Sequence, residues 1–204
     1  MHVFSFTGGL ASTNAWLLEF EEKRILFDAP TGTGAWLDSL GVLPDAIALT
    51  HQHWDHVQDL AAVVAATGAE VWAWDPTGDE DLTLAKRFEQ NFGIPCAVPA
   101  YAVDHVLGGK SETVIAGVPL GLRHVPGHSP DSVCFLAQDA LVCGDTLMAG
   151  SMGRTDLPHS EPDRFMGAIR EGILSLGDAV RLLPGHGPET SVGHERVGNP
   201  WLQG

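Results

Sequence analysis

Positive charge is scarce in this chain. Its 204 residues carry 11 lysines and arginines against 26 acidic residues, a formal net charge of −15. Such an excess repels phosphate backbones and anionic lipid surfaces, so no nucleic acid is expected as a partner. Long hydrophobic runs are missing as well. No uncharged stretch approaches the length of about twenty residues that a membrane span needs, so no membrane is expected either. The amino terminus lacks a basic patch leading into an apolar core, which predicts no signal peptide and a cytoplasmic protein. Cysteine is limited to Cys96, Cys134 and Cys143. An odd number in a chain of this size excludes a disulfide framework. Cys134 and Cys143 lie inside apolar runs and read as small buried hydrophobes.

What remains is an ordinary globular composition, 44% hydrophobic and 18% charged, with 24 glycines and 13 prolines to supply many turns. The length fits one domain, 1–204. The first third reads as short strands at His2 to Phe6, Asn14 to Phe20 and Arg24 to Asp28, then a short helix at Ala35 to Leu40 stopped by Gly41. Ala46 to Thr50 reads as a strand buried on both faces, Val57 to Thr67 as a helix with Leu60, Val63 and Val64 on one face, and Glu70 to Trp74 as the next strand. That order is a βαβ unit, whose ligand loops lie at the carboxyl ends of its strands. Asp79 to Asn91 suits an amphipathic helix. The β-pattern returns at Thr113 to Ile115, Val118 to Val125, Val133 to Leu136 and Ala140 to Cys143. Pro162 to Leu176 predicts a helix with Phe165, Ile169 and Ile173 at helical spacing, and Ala179 to Leu183 a last strand. A short helix is expected in the tail from Ser191. Two β-rich halves, each followed by helix and strand, predict two sheets packed face to face with helices outside.

At the end of the strand 46–50 stands Thr50-His51-Gln52-His53-Trp54-Asp55-His56, with three imidazoles and a carboxylate crowded together. Neutral imidazole and carboxylate are the ligand set of a borderline-soft divalent cation. In an extended segment His51 and His53 point to the same side, whereas adjacent Asp55 and His56 share a target only where the chain turns into a helix. One extended pair and one turn pair fit two neighbouring ions better than one. Three further signals follow apolar strands: Pro126-Gly127-His128-Ser129, Gly144-Asp145-Thr146 and Pro184-Gly185-His186-Gly187. Each places a potential ligand beside a glycine, where the backbone can turn sharply. Together they offer five histidines and two aspartates, enough for two cations. His124 reads either as support for His128 or as a strand-end residue. His2, His105, His159 and His194 read as surface residues, and Trp54 as packing in the helix core.

His51-x-His53-x-Asp55-His56 followed by His128, Asp145 and His186 resembles the metallo-β-lactamase superfamily over essentially the whole chain. The resemblance implies an α/β fold, the αββα sandwich of two mixed β-sheets, with a site at one edge. It also implies a ligand assignment: His51, His53 and His128 on a first metal, Asp55, His56 and His186 on a second, and Asp145 bridging. Gly150 to Pro158, Pro184 to Thr190, and Glu195-Arg196 through Asn199-Pro200 resemble the single-domain, type II glyoxalase-like hydrolases. Those proteins are similar to hydroxyacylglutathione hydrolase, although no carboxy-terminal helical, glutathione-binding domain is expected here. The implied function is hydrolysis of a small-molecule thioester such as an S-hydroxyacylglutathione, with two divalent ions (zinc, or iron or manganese) and a metal-bridging hydroxide attacking the carbonyl. Asp55 and Asp145 are the expected catalytic carboxylates. Arg154 is a candidate for a substrate carboxylate, or it braces its loop against Asp156 or Asp145. The alternatives are a persulfide dioxygenase with one iron on His51, His128 and Asp145, and a small-ester or lactone hydrolase. The oligomeric state is not legible.

Overall fold

Strands β1 (His2–Gly8), β2 (Thr13–Phe20) and β3 (Lys23–Phe27) form an antiparallel meander whose register sets Phe6 opposite Ala15 and Trp16 opposite Phe27. The structure, a computed structural model, describes residues 1–76, 86, 89–91, 93 and 96–203. After β3 comes helix α1 (Thr33–Leu40), closed by Gly41 in the left-handed conformation, where glycine carries no Cβ penalty. Strand β4 (Ala46–Ala48) then lies parallel to β3, β5 (Glu70–Ala73) parallel to β4, and β6 (His105–Val106) parallel to β5. The six strands form one mixed sheet in sequence order. The expected helix at 79–91 lies for the most part outside the described residues.

The helix expected at 57–67 is two helices, α2 (Trp54–Val57) and α3 (Leu60–Thr67). The break has a physical cause at Asp59. Its backbone N–H donates to Ala29 O at 2.9 Å, and its carboxylate accepts from Gly32 N at 2.8 Å at the start of α1. Helix α2 begins inside the histidine cluster, three residues before the expected start. Leu17, Leu26, Ile47, Leu49, Leu60 and Val71 share the core of this unit, each no more than 1% exposed. Each such side chain contributes about 1.5–3 kcal/mol relative to an exposed one.

By its contacts the chain divides into two units, residues Met1–Gly108 with Ile115–Val118, and Gly109–Val114 with Pro119–Gly204. The second sheet contains β7 (Glu112–Ile115), β8 (Val118–His124), β9 (Val133–Ala137), β10 (Ala140–Gly144), β13 (Arg181–Pro184) and β14 (Thr190–Ser191), in the order β14-β13-β10-β9-β8-β7. Strands β8 and β10 are both antiparallel to β9, and β13 is parallel to β10. Hence β8, β10 and β13 all end at one edge of this sheet. A two-residue hairpin, β11 (Leu147–Met148) and β12 (Ser151–Met152), follows β10. Neither it nor β14 shows enough periodicity to be read from the sequence. Helix α4 (Pro162–Gly172) is shorter than expected, but Phe165, Ile169 and Ile173 are fully buried as its spacing predicts. The tail carries α5 (Val192–Gly198), capped by the Ser191 side chain, and a 3-10 turn at Pro200–Leu202. Among the described residues no helix is long and apolar enough to cross a membrane.

Cys134 and Cys143 lie in the core of this unit. Burial pushes the Cys134 thiol up to about 12 and Cys143 well above the ordinary thiol range. Neither holds a thiolate near neutral pH. A thiol reagent is therefore expected to leave both unlabelled in the folded protein and to modify both in denaturant; rapid labelling before unfolding would contradict that packing.

Candidate metal centre

In the first unit, β3 and β4 run parallel and end side by side, with Asp28 N bonded to Ala48 O at 3.1 Å. Asp28 follows β3 in the left-handed region, at φ 58, and is 1% exposed. Its carboxylate gathers the loop after β4. Oδ1 accepts from Thr50 N at 2.8 Å, and Oδ2 accepts from Thr50 Oγ1 at 2.7 Å and from His56 Nδ1 at 2.8 Å. Since the Thr50 hydroxyl gives its proton to Asp28, its oxygen is left to accept from His51 Nδ1, 3.2 Å away. One buried carboxylate thus orients two imidazoles, one directly and one through a hydroxyl. Both rings are fixed through Nδ1, with Nε2 on the opposite side, as histidine ligands of metals are commonly held.

The remaining ring nitrogens converge. His51 Nε2 and His53 Nδ1 are 3.1 Å apart, and His56 Nε2 is 3.6 Å from Asp55 Oδ2. Ligand atoms of His51 and His56 lie within 4.8 Å of each other. Asp55 is oriented by Thr13, whose hydroxyl donates to Oδ2 at 2.7 Å. His51, His53 and His56 are buried, and Asp55 is half-buried. His53 stands at the N-cap position of α2 with extended backbone, while Asp55 and His56 lie in its single turn. The extended pair and the turn pair read from the sequence are present. Gln52 points away from the imidazoles. It accepts from Tyr101 OH at 2.9 Å and donates to Asp75 O at 3.1 Å.

In the second unit, the common edge of β8, β10 and β13 gathers His128, Asp145 and His186. Asp145 Oδ2 lies 3.5 Å from His128 Nε2 and 3.3 Å from His186 Nε2. A backbone bond from Gly185 N to Gly144 O, 2.8 Å, ties the two parallel strand ends. His128 donates from Nδ1 to the backbone carbonyl of Arg154 at 2.8 Å, so its Nε2 faces Asp145. Two glycines are needed for this packing. A Cβ on Gly127 would come within 2.2 Å of Phe165, and one on Gly153 within 1.9 Å of the Asp145 carbonyl oxygen.

The Arg154 guanidinium is exposed and bonds Asp156 through Nε at 2.6 Å and Nη2 at 2.7 Å. This pair holds the Asp156 carboxyl below its ordinary range and raises Arg154. His124 is a strand-end residue, with its ring on Pro130 O at 2.7 Å. His105 stacks on Trp72 and pairs with Glu70 at the edge of the first sheet. Asp28 and Thr13 are site residues that the sequence reading missed. Asp28 carried a usable signal, an aspartate directly after an apolar strand, the same signal that marks Asp145. Thr13 carried none.

The donor set suits a transition-metal dication: imidazole nitrogens anchored on one side and converging with carboxylate oxygens on the other. Comparison with known proteins agrees. The chain matches the family described as the metallo-beta-lactamase superfamily over residues 8–194. It belongs to that superfamily, whose members bind metal ions, and two mixed sheets with helices are its fold. Hydroxyacylglutathione hydrolase GloC of Haemophilus influenzae is 29% identical, over 93% of this chain and 92% of its own. Among solved structures, BLEG-1, a B3 metallo-beta-lactamase, aligns over 100% of both chains with TM-score 0.88 and 29% identity. TTHA1623 in a di-iron-bound form aligns over 98% of this chain and 100% of its own, with TM-score 0.81 and 34% identity.

Proposed function

We propose that the protein is a dinuclear metal-dependent hydrolase of small thioesters. His51, His53 and His128 would hold one cation, Asp55, His56 and His186 the other, and Asp145 would bridge them. The observation that carries this reading is the placement of Asp145 Oδ2 between two imidazole Nε2 atoms, at 3.5 and 3.3 Å. A carboxylate flanked in this way is suited to two ions rather than one. The di-iron form of TTHA1623 supports the nuclearity, and the name of the H. influenzae relative supports the substrate class.

Two bound divalent cations supply a water whose pKa falls from about 15.7 toward 7 and a Lewis acid for a carbonyl oxygen. The protein's own groups do the rest. Asp55, held by Thr13, would both ligate a cation and orient the attacking hydroxide. Asp28 keeps His51 and His56 in one tautomer, so neither ring has to reorient during turnover. A thiolate leaves without help from a strong acid, because thiol pKa values are about 8.5.

The test is elemental analysis of the purified protein together with turnover of S-D-lactoylglutathione. Two equivalents of zinc, iron or manganese with thioester hydrolysis are expected. A single iron with oxygen uptake on a glutathione persulfide would replace this reading with the dioxygenase. Preferential opening of a lactone or a β-lactam would replace the thioester by a cyclic substrate.

Arg154 is proposed to receive a substrate carboxylate by exchange for Asp156. Exposed ion pairs of this kind are weak because solvent screens them, so exchange costs little. Arg154→Ala is expected to raise KM about tenfold with metal content unchanged, the loss of one charged hydrogen bond. Asp156→Ala is expected to leave KM unchanged or lower it. Equal increases in both variants would make the pair a brace only.

A further inference from the structure

The motif Glu195-Arg196 through Asn199-Pro200 lies outside every metal ligand, yet two of its polar side chains are fully buried. Glu195 and Asn199 are both 0% exposed. Glu195 Oε2 accepts from Gly150 N and from Asn199 Nδ2, each at 2.8 Å, and Oε1 accepts from Thr190 Oγ1 at 2.6 Å. Asn199 Nδ2 also donates to Ser151 O at 2.9 Å and reaches Met148 O at 3.4 Å. A carboxylate from α5 and the amide of its C-cap residue thus grip Met148, Gly150 and Ser151 on the β11–β12 hairpin. Burying a carboxylate is costly unless several donors satisfy it, and here three do.

The hairpin occupies a particular place in the chain. It leaves directly from Asp145-Thr146 and returns through Gly153 to Arg154. On return, Gly153 N donates to Thr146 O at 3.3 Å, and the Arg154 carbonyl accepts from His128 Nδ1 at 2.8 Å. Gly153 packs so closely on the Asp145 carbonyl that no Cβ fits. The position of the hairpin therefore sets both the backbone of Asp145 and the acceptor that turns His128.

We propose that Glu195 and Asn199 are positioning residues for the metal centre, acting through the β11–β12 hairpin on His128 and Asp145. The inference rests on the ligand assignment made under Proposed function. It concerns two side chains that touch neither cation nor substrate, and it separates them from residues that only stabilise the tail. A tail stabiliser lowers the melting temperature and leaves the folded site as it was. A positioning residue alters the site in molecules that remain folded.

The experiment is cobalt(II) titration of metal-depleted wild type, Asn199→Ala and Glu195→Gln, followed by visible absorption and by competition with a chelator. It is run well below the melting temperature of each variant, with far-ultraviolet circular dichroism to establish folding. Wild type is expected to take two equivalents. Asn199→Ala is expected to bind its weaker equivalent about tenfold less tightly and to show a shifted ligand-field spectrum, the lower end of the 10–100-fold range for residues that support ligands. Glu195→Gln keeps the volume and one acceptor oxygen, so a smaller shift in the same direction is expected. It carries the measurement if Asn199→Ala does not fold. Folded variants with wild-type affinity and spectrum, whatever their melting temperatures, would overturn the proposal. Failure of wild type itself to bind cobalt would instead overturn the metal-centre reading on which it rests.

Discussion

Asp145→Ala is expected to lose most of the bound metal and to lower kcat/KM for a thioester by more than about 100-fold, beyond the usual cost of losing a supporting hydrogen bond to a ligand. The reasoning is electrostatic and geometric. Asp145 is 9% exposed, and its Oδ2 stands within 3.5 Å of the Nε2 atoms of both His128 and His186. Removing it leaves imidazoles with no anion between them, and two dications brought close together repel strongly when no negative charge separates them. Asp145→Asn tests the charge separately from the shape. The amide keeps one oxygen in place but not the charge, so metal content is expected to fall while the fold is retained. Elemental analysis and steady-state kinetics on the same preparations decide the matter. Two equivalents of metal and full turnover in either variant would show that Asp145 bridges nothing.

Asp28→Ala is expected to be the most damaging substitution at a residue that binds no metal. Three buried donors lose their acceptor together: Thr50 N, Thr50 Oγ1 and His56 Nδ1. An unsatisfied buried donor costs about 1–3 kcal/mol, so a loss of about 3 kcal/mol or more in stability is expected. Alanine also has to adopt the left-handed backbone at φ 58, which aspartate and asparagine tolerate better. Metal affinity is expected to drop about 10–100-fold, because His51 and His56 lose the group that fixes their tautomers. Asp28→Asn keeps one acceptor oxygen and the backbone preference, and should sit between wild type and Asp28→Ala in both denaturant midpoint and metal affinity. A metal affinity unchanged in Asp28→Ala would show that the imidazoles are oriented by something else.

How much of this was legible in the sequence follows from how each feature is encoded. The cluster 51–56 is visible because its ligands are neighbours in the chain. His128, Asp145 and His186 are visible because each follows an apolar strand and stands beside glycine. The role of Asp28 is hidden, because it depends on β3 and β4 being parallel neighbours, and no local pattern states which strands pair. The helix break at 58–59 is hidden for a similar reason. The periodicity from Val57 to Thr67 is helical throughout, and the interruption comes with non-local bonds, from Asp59 to Ala29, Gly32 and Gly34 and from Ala29 N to His56 O. Glu195 and Asn199 stand out in the sequence through a resemblance. Their use is not local, since their partners on the hairpin lie 45 to 51 residues earlier. Two-residue strands such as β11, β12 and β14 carry no period to read.

The two groups of candidate ligands also differ in when they come into being. Asp145 and His186 meet only after β13 has docked beside β10, which closes a long loop of chain. His51, His53, Asp55 and His56 are close together in any conformation of the polypeptide, folded or not. If these side chains hold a cation as proposed, an unfolded chain keeps a short chelating peptide, and affinity for the unfolded state would subtract from the stabilisation that the cation gives the folded one. Metal supplied during refolding would then meet this peptide first, and the order of addition would become a variable of the preparation: cation before folding, or folding before cation.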